Sequence, residues 1–300
     1  MFNNSNRFLP VGISLVAALL LTVNCATSRT VTYTKSFIPR DAKPAAIPAS
    51  TLKLYNNRQV KADLAQSIDE LTAFVEANPG HYDAMVMLCR GHYLMADGHL
   101  YIEIAPDKSN AKAIQKEQGK HFDLGVKWCE RAMATNEAFY KKVAVGGGDV
   151  VTALPDLTIN EIDALYWSYA NLAKWSRIEG LMTLLENKSK FTAIVARVES
   201  LNPKYFHGSV LRYKGAANLA SPTGNKKEGA QQLEASIKAA PNYFGTKVLY
   251  ADLGLRGDEE KAIKYLNEVI NGNANAIPDI KPEQLLEQEK AKKLLAEDFN

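Results

Sequence analysis

The stretch VKADLAQSIDELTAFVEANPG, residues 60–80, decides the fold class. Val60, Leu64, Ile68, Leu71 and Val75 recur at spacings of three and four, which places them on one stripe of an α-helix. Asn78-Pro79-Gly80 then ends it, because proline lacks the N–H a helix needs and glycine relaxes the backbone. A second helix is expected from Tyr82 to about Ala96, with Met85, Leu88, Tyr93 and Leu94 apolar, broken by Asp97-Gly98.

The same grammar returns along the chain. Phe122–Ala134 stops at Thr135-Asn136, Phe191–Leu201 at Asn202-Pro203, and Gly229–Ala239 at Ala240-Pro241, each followed by an aromatic-rich helix. A pair over Thr246–Leu255 and Asp258–Ile270 precedes a closing helix over Pro282–Ala296. Pro203 to Pro241 spans 38 residues and Pro79 to Pro203 spans 124, which fits three longer repeats carrying insertions at His99–Gly119 and Tyr140–Ile159. Alternation at spacing two is scarce. The predicted fold is therefore all-α, a helical-hairpin array resembling degenerate tetratricopeptide repeats of about 34 residues, curled around a cavity or pore. Gly91, Ala170, Gly215 and Ala216 in first helices, and Ala132, Ala196, Ala230 and Ala262 in second helices, supply close helix contacts.

At the start of the chain one basic residue, Arg7, precedes an uncharged run from Phe8 to Val23 and then Cys25. The run is short for a membrane span and reads as a secretory signal. Leu21-Thr22-Val23-Asn24-Cys25 resembles a bacterial lipobox, which implies acylation of Cys25 and a chain anchored to one leaflet. The alternative is an ordinary cleaved signal with Cys25 incidental. Ala26 is not the aspartate that retains lipoproteins in the inner membrane, so the outer membrane is the expected site. The organisation is then a signal over 1–24, a lipidated extended tether over 25–50, and one helical domain over 51–300. Removing Arg7 with the signal takes the formal charge of the 300-residue chain from +3 to +2, and no basic block appears, which excludes a nucleic-acid surface. Cys89 and Cys129 lie in amphipathic helical patterns and are expected as buried free thiols, a disulfide being the alternative.

The segment Leu165-Tyr166-Trp167-Ser168-Tyr169-Ala170-Asn171-Leu172-Ala173-Lys174-Trp175, then Arg197, then Asn202-Pro203-Lys204-Tyr205-Phe206-His207-Gly208, resembles the TatT family. These are lipoproteins associated with tripartite ATP-independent periplasmic (TRAP) transporters. The likeness continues through Gly215, Pro222, Lys227-Glu228-Gly229-Ala230, Ala235, Tyr250-Ala251, Lys290-Ala291-Lys292-Lys293-Leu294-Leu295 and Phe299. The resemblance implies an all-helical, repeat-bearing periplasmic lipoprotein, a homotrimer that contacts a solute-binding P subunit and handles its ligand. It brings no catalytic residues.

On the helix expected over Glu161–Ile178, Trp167, Asn171, Lys174, Trp175 and Ile178 share one face, and Tyr166, Tyr169, Leu172 and Ala173 share another. The functional reading packs one face and turns the face with Asn171 and Lys174 towards an organic anion, since flat apolar walls with few polar groups suit such a site. The competing reading buries both faces and lets Lys174 reach water. Tyr205, His207, Arg212 and Tyr213 cluster at the next repeat with Arg197 before the turn, and an arginine there would grip a carboxylate through two parallel hydrogen bonds. The bland alternative is solvated or capping charge.

Gly146-Gly147-Gly148 is followed by no Lys-Ser or Lys-Thr, so it reads as a flexible turn, at the edge of a ligand opening, and not as a phosphate cradle. His92 and His99 stand seven apart with Glu103 beyond, but Asp97-Gly98 separates them, so no metal is expected. Nor does a nucleophile with its base stand out. The expectation is a non-enzyme without cofactors: an envelope subunit of a TRAP-type system that docks the P subunit and binds or passes a small organic ligand. The rival is a scaffold lipoprotein without a small-molecule ligand. Substituting Cys25→Ser is expected to move the protein from the membrane to the soluble fraction of a cell lysate; undiminished membrane retention would remove the anchor.

Overall fold

The computed structural model describes residue 29 and residues 33–299; Cys25 and the signal lie outside them. Fourteen α-helices and no strand are present among the described residues. They are α1 (Ala49–Asn56), α2 (Lys61–Ala77), α3 (Tyr82–Leu94), α4 (Ala111–Met133), α5 (Glu137–Tyr140), α6 (Val150–Ala153) and α7 (Ile162–Glu179). The second half holds α8 (Leu181–Glu186), α9 (Lys188–Leu201), α10 (Tyr205–Ala220), α11 (Lys226–Ala239), α12 (Phe244–Gly254), α13 (Glu259–Ile270) and α14 (Lys281–Asp298). The all-α reading holds.

In α2 the stripe Leu64, Ile68, Leu71 and Val75 is buried, whereas Val60 caps the helix and is exposed. Asn78 closes the helix as expected, its backbone N and its side-chain Nδ2 both donating to the Phe74 carbonyl at 2.9 Å. Neighbours in sequence pack as pairs, α2 with α3, α10 with α11 and α12 with α13, while α7 crosses both α3 and α4. Two apolar cores result. The larger gathers side chains from α1 to α10, the smaller those of α11 to α14, and Leu286 of α14 belongs to the larger one.

Four sequence expectations change. First, Asp97-Gly98 does not break the chain: α3 runs on as a π-helical turn over Met95–Leu100. Both residues are occupied by packing, Asp97 by two ammonium groups and Gly98 by Leu286, whose Cδ1 would lie 2.9 Å from an added Cβ. Second, much of the expected insertion His99–Gly119 is helix, because α4 begins at Ala111; its early residues include good helix formers, and Gln118 is anchored to the Ala96 carbonyl at 2.9 Å. Third, the glycine triplet does not line the cavity described below. It closes a turn, Gly146 N donating to Lys141 O at 2.9 Å and Gly148 N to Lys142 O at 3.0 Å.

Fourth, Cys89 and Cys129 form a disulfide with Cα atoms 5.5 Å apart, so the free-thiol reading is overturned. Each sits on the face where α3 meets α4, and amphipathic patterning alone does not separate a facing pair from two independent buried thiols. Behind the bridge, Asn171 Nδ2 donates to Cys89 O at 3.2 Å and to Trp167 O at 2.9 Å. A side chain at Gly125 would overlap the Asn171 amide, which is why α4 carries glycine there.

Described residues before α1 touch the helical body. Phe37 packs on Tyr140 with ring centroids 5.4 Å apart, Asp41 N donates to Gly80 O at 3.0 Å, and the Arg40 guanidinium lies 3.9 Å from the centre of the Tyr82 ring. Arg29 bonds Asp123 at 2.7 Å and Glu130 at 3.1 Å. The helix start at Ala49 also precedes the expected boundary at residue 51. Alternating basic and small residues lack helical period, yet their apolar and cationic members still find partners on the body.

Closing 40 residues, the disulfide restricts the unfolded chain by about 2–4 kcal/mol. Cys89→Ser, or reduction of the native protein, is therefore expected to lower Tm by on the order of 10 °C in calorimetry; an unchanged Tm would show that the bridge adds nothing.

Candidate ligand cavity

A cavity of about 210 Å³ lies between the two cores. Its walls are the end of α3 with the π-helical turn, α7, α10, α12 and α14, with α8 and the start of α9 at the rim. On α7 the lining residues Tyr166, Tyr169, Ala170, Ala173, Lys174 and Arg177 follow i, i+3, i+4, i+7, i+8 and i+11, one face of the helix. Ala170, and Ala216 on α10, therefore border open space, where the sequence reading gave them close helix contacts. The small side chains leave the room that the neighbouring tyrosines wall.

The expected face of α7 is split. Trp167 and Lys174 line the cavity. Asn171 points the other way into the α3–α4 junction, and Trp175 is buried under the Arg29 guanidinium, 5.7 Å from its ring centre. From the second cluster Arg212 and Tyr213 line the cavity. Arg197 instead holds the loop before α7, its Nε and Nη2 donating to Leu157 O and Pro155 O at 3.0 Å. Tyr205 donates to Asp163, and His207 stacks on Tyr243 with centroids 5.2 Å apart. Trp167, Lys174, Arg212 and Tyr213 are thus brought together, and Asn171, Trp175, Arg197, Tyr205 and His207 are not. The residues missed, Tyr166, Tyr169 and Ala173, carried the same periodic signal on the opposite face.

The aromatic wall is continuous. Tyr166 sits 5.4 Å from Tyr213 and 4.6 Å from Phe206, and Tyr169 lies 4.1 Å from Tyr213. Burial pushes the phenols of Tyr93, Tyr169, Tyr213 and Tyr243 well above their ordinary range, so they stay neutral and act as hydrogen-bonding apolar surface.

Two ionic clusters border the space, and Arg177, Lys188, Arg212 and Asp252 complete its charged lining. Asp97 accepts from Lys174 at 2.5 Å and from Lys290 at 2.7 Å, and Lys290 also reaches Glu287 at 3.0 Å. Burial alone would raise the Asp97 pKa, but the two ammonium groups outweigh it and hold the carboxyl well below the usual range. Glu283 is gripped by Arg58 at 2.7 Å and by Arg90 Nε at 2.7 Å; burial opposes its ionisation, and the two guanidinium groups keep it charged.

Similarity to known proteins adds to this geometry. The family model described as the TRAP transporter T-component matches residues 58–300. The chain belongs to that family. No curated protein matches it. The T-component is a transport protein of the bacterial envelope that works with other TRAP subunits, and its family is not one of enzymes. No helix among the described residues is long and apolar enough to cross a membrane. The histidines weighed as ligands have other partners: His92 Nδ1 is 2.9 Å from His121 Nδ1, and His99 Nε2 is 3.0 Å from Arg58 O.

Because Asp97 titrates low in the fold, its contribution to stability is complete above the unfolded aspartate pKa near 3.9 and is lost as pH falls through the depressed folded value. Asp97→Asn leaves Lys174 and Lys290 facing each other and is expected to cost about 3 kcal/mol near neutral pH. Thermal unfolding followed from pH 7 to pH 2.5 checks both points: the variant should lose part of the acid destabilisation that the unaltered T-component shows.

Proposed function

We propose that this T-component is a lipid-anchored periplasmic subunit that docks the solute-binding P subunit and binds or passes a small organic ligand in the cavity between its two cores. Its helix pairs act as degenerate tetratricopeptide-like repeats curled around that cavity, and the anchor at Cys25 holds the protein to the outer membrane. The observation that carries the reading is the wall itself: tyrosines, alanines and leucines supply most of the lining, and charged groups interrupt it, the mixture by which proteins hold and orient organic molecules.

Docking is supported at the rim. Leu181, Met182 and Leu185 of α8 are exposed, and Leu185 borders the cavity. Exposed large apolar side chains gathered beside an opening suit a protein partner, and a P subunit seated there faces the same space as the ligand.

The test is native mass spectrometry of the full chain in lipid nanodiscs with a P subunit encoded beside it. A complex is expected, weakened at least tenfold by Leu181→Glu with Leu185→Glu, and the same spectra count the subunits of the proposed homotrimer. Absence of any complex would overturn docking. A stable complex that never retains a small molecule would move the assignment to a scaffold.

A further inference from the structure

Arg212 is 3% exposed, and its four hydrogen bonds all go to neutral oxygens: His207 O at 3.0 Å, Phe206 O at 3.2 Å, Thr246 Oγ1 at 3.3 Å and Tyr166 Oη at 3.0 Å. Arg58, the other fully buried arginine, and the largely covered Arg29 and Arg90 are treated differently. Arg29 grips Asp123 and Glu130, and Arg58 and Arg90 share Glu283. A guanidinium remains charged at any pH a protein survives, so Arg212 is a buried cation without a counter-ion, and it borders the cavity. Around it stand Tyr213 and Tyr243, whose ring centres lie 5.5 and 4.5 Å from its Cζ. Ring faces soften the charge but do not cancel it, and burial keeps these phenols from ionising in compensation.

We propose that Arg212 is an anion subsite in the cavity wall and that its occupant is a monocarboxylate with an apolar body. The inference rests on the reading of the cavity as a ligand site. The four bonds occupy both Nη groups, so Nε–H is the donor left for a carboxylate, a single charge-assisted bond, and Tyr166, whose hydroxyl oxygen already accepts from Arg212, keeps its own proton to donate to the same anion. The body of the ligand meets Tyr169, Ala173, Ala217, Val248 and Leu286. One acid group is the limit because the cations nearest the interior are engaged, Lys174 and Lys290 holding Asp97 and Lys290 also holding Glu287, while Arg177 and Lys188, which complete the cationic lining, are exposed to solvent. A second carboxylate would lie among Asp97, Glu283 and Glu287, like charges in a poorly hydrated space.

The experiment compares three molecules of one skeleton by calorimetry with the full chain in nanodiscs at pH 7.5: 3-phenylpropanoate, its neutral amide, and benzylmalonate, which adds a second carboxylate. The acid is expected to bind at least tenfold more tightly than either of the others. In Arg212→Gln the preference for the acid should vanish, acid and amide binding within twofold of each other. The comparison of acid with amide on the unaltered protein needs no substitution, so it stands even if the variant misfolds. Equal binding of acid and amide would overturn the subsite while leaving a cavity that holds organic molecules. Benzylmalonate binding as tightly as the monoacid would overturn the limit to one carboxylate. No binding of any of the three at millimolar concentration would overturn both the subsite and the ligand-site reading beneath it.

Discussion

The return of the last helix to the first part of the chain is the constraint from which the cavity follows. Glu283 near the start of α14 binds Arg58, 225 residues earlier, and Lys290, two turns further along the same face, binds Asp97, 193 residues earlier. Leu286, between them on the helix, enters the larger core against Gly98. Take away these contacts and α11 to α14 remain joined to the first core chiefly through α10, which packs on α11 and α12. With them, two cores that do not merge are held edge to edge, and the space left between them is the cavity. Buried ion pairs are a poor source of net stability, since desolvation offsets much of their attraction, but they are strict about geometry. Here they fix the position at which α14 closes.

Helix content was legible because it is a local property. Stripes such as Leu64, Ile68, Leu71 and Val75, with stops at Asn78-Pro79 and Ala240-Pro241, state a period and its end within twenty residues. Long-range use of a residue was not legible. Asp97-Gly98 has the composition of a turn, and only the approach of Lys174, Lys290 and Leu286 makes it a continuing helix. Cys89 and Cys129 each look like core residues on their own helices; their bond depends on how α3 and α4 are rotated towards one another.

The same limit explains the candidate site. A helix with aromatics on two faces announces that both are covered, but periodicity does not say which is covered by protein and which by a space. The face with Asn171 and Trp175 met α3, α4 and the Arg29 side chain, so it closed. The other face met α10, α12 and α14 at a distance, with Ala170 and Ala173 too short to fill it. Alanines amid tyrosines were the available signal. Small residues such as Ala170 usually serve where helices pack closely, and periodicity alone does not distinguish that use from bordering a space.

Arg212 joins the cavity to the backbone that forms its outer wall. Phe206, His207 and Gly208 open α10 with φ of 41°, 56° and 75°, a left-handed run that costs about 1–2 kcal/mol at each non-glycine residue. Their carbonyls would splay without a donor, and Arg212 supplies one to Phe206 and one to His207. This turn sets the Phe206 ring 4.6 Å from Tyr166 and 5.2 Å from Trp167, and so fixes the aromatic wall. One guanidinium therefore does two things: it stabilises a strained backbone through neutral oxygens, and it presents an unmatched charge to the space beside it. The first role accounts for why a cation is tolerated in this interior at all, because four hydrogen bonds offset part of its desolvation. It does not account for the absence of a carboxylate, which Arg29, Arg58 and Arg90 all possess. A residue needed only to brace the turn would gain from such a partner. The lack of one is intelligible where the partner arrives from outside.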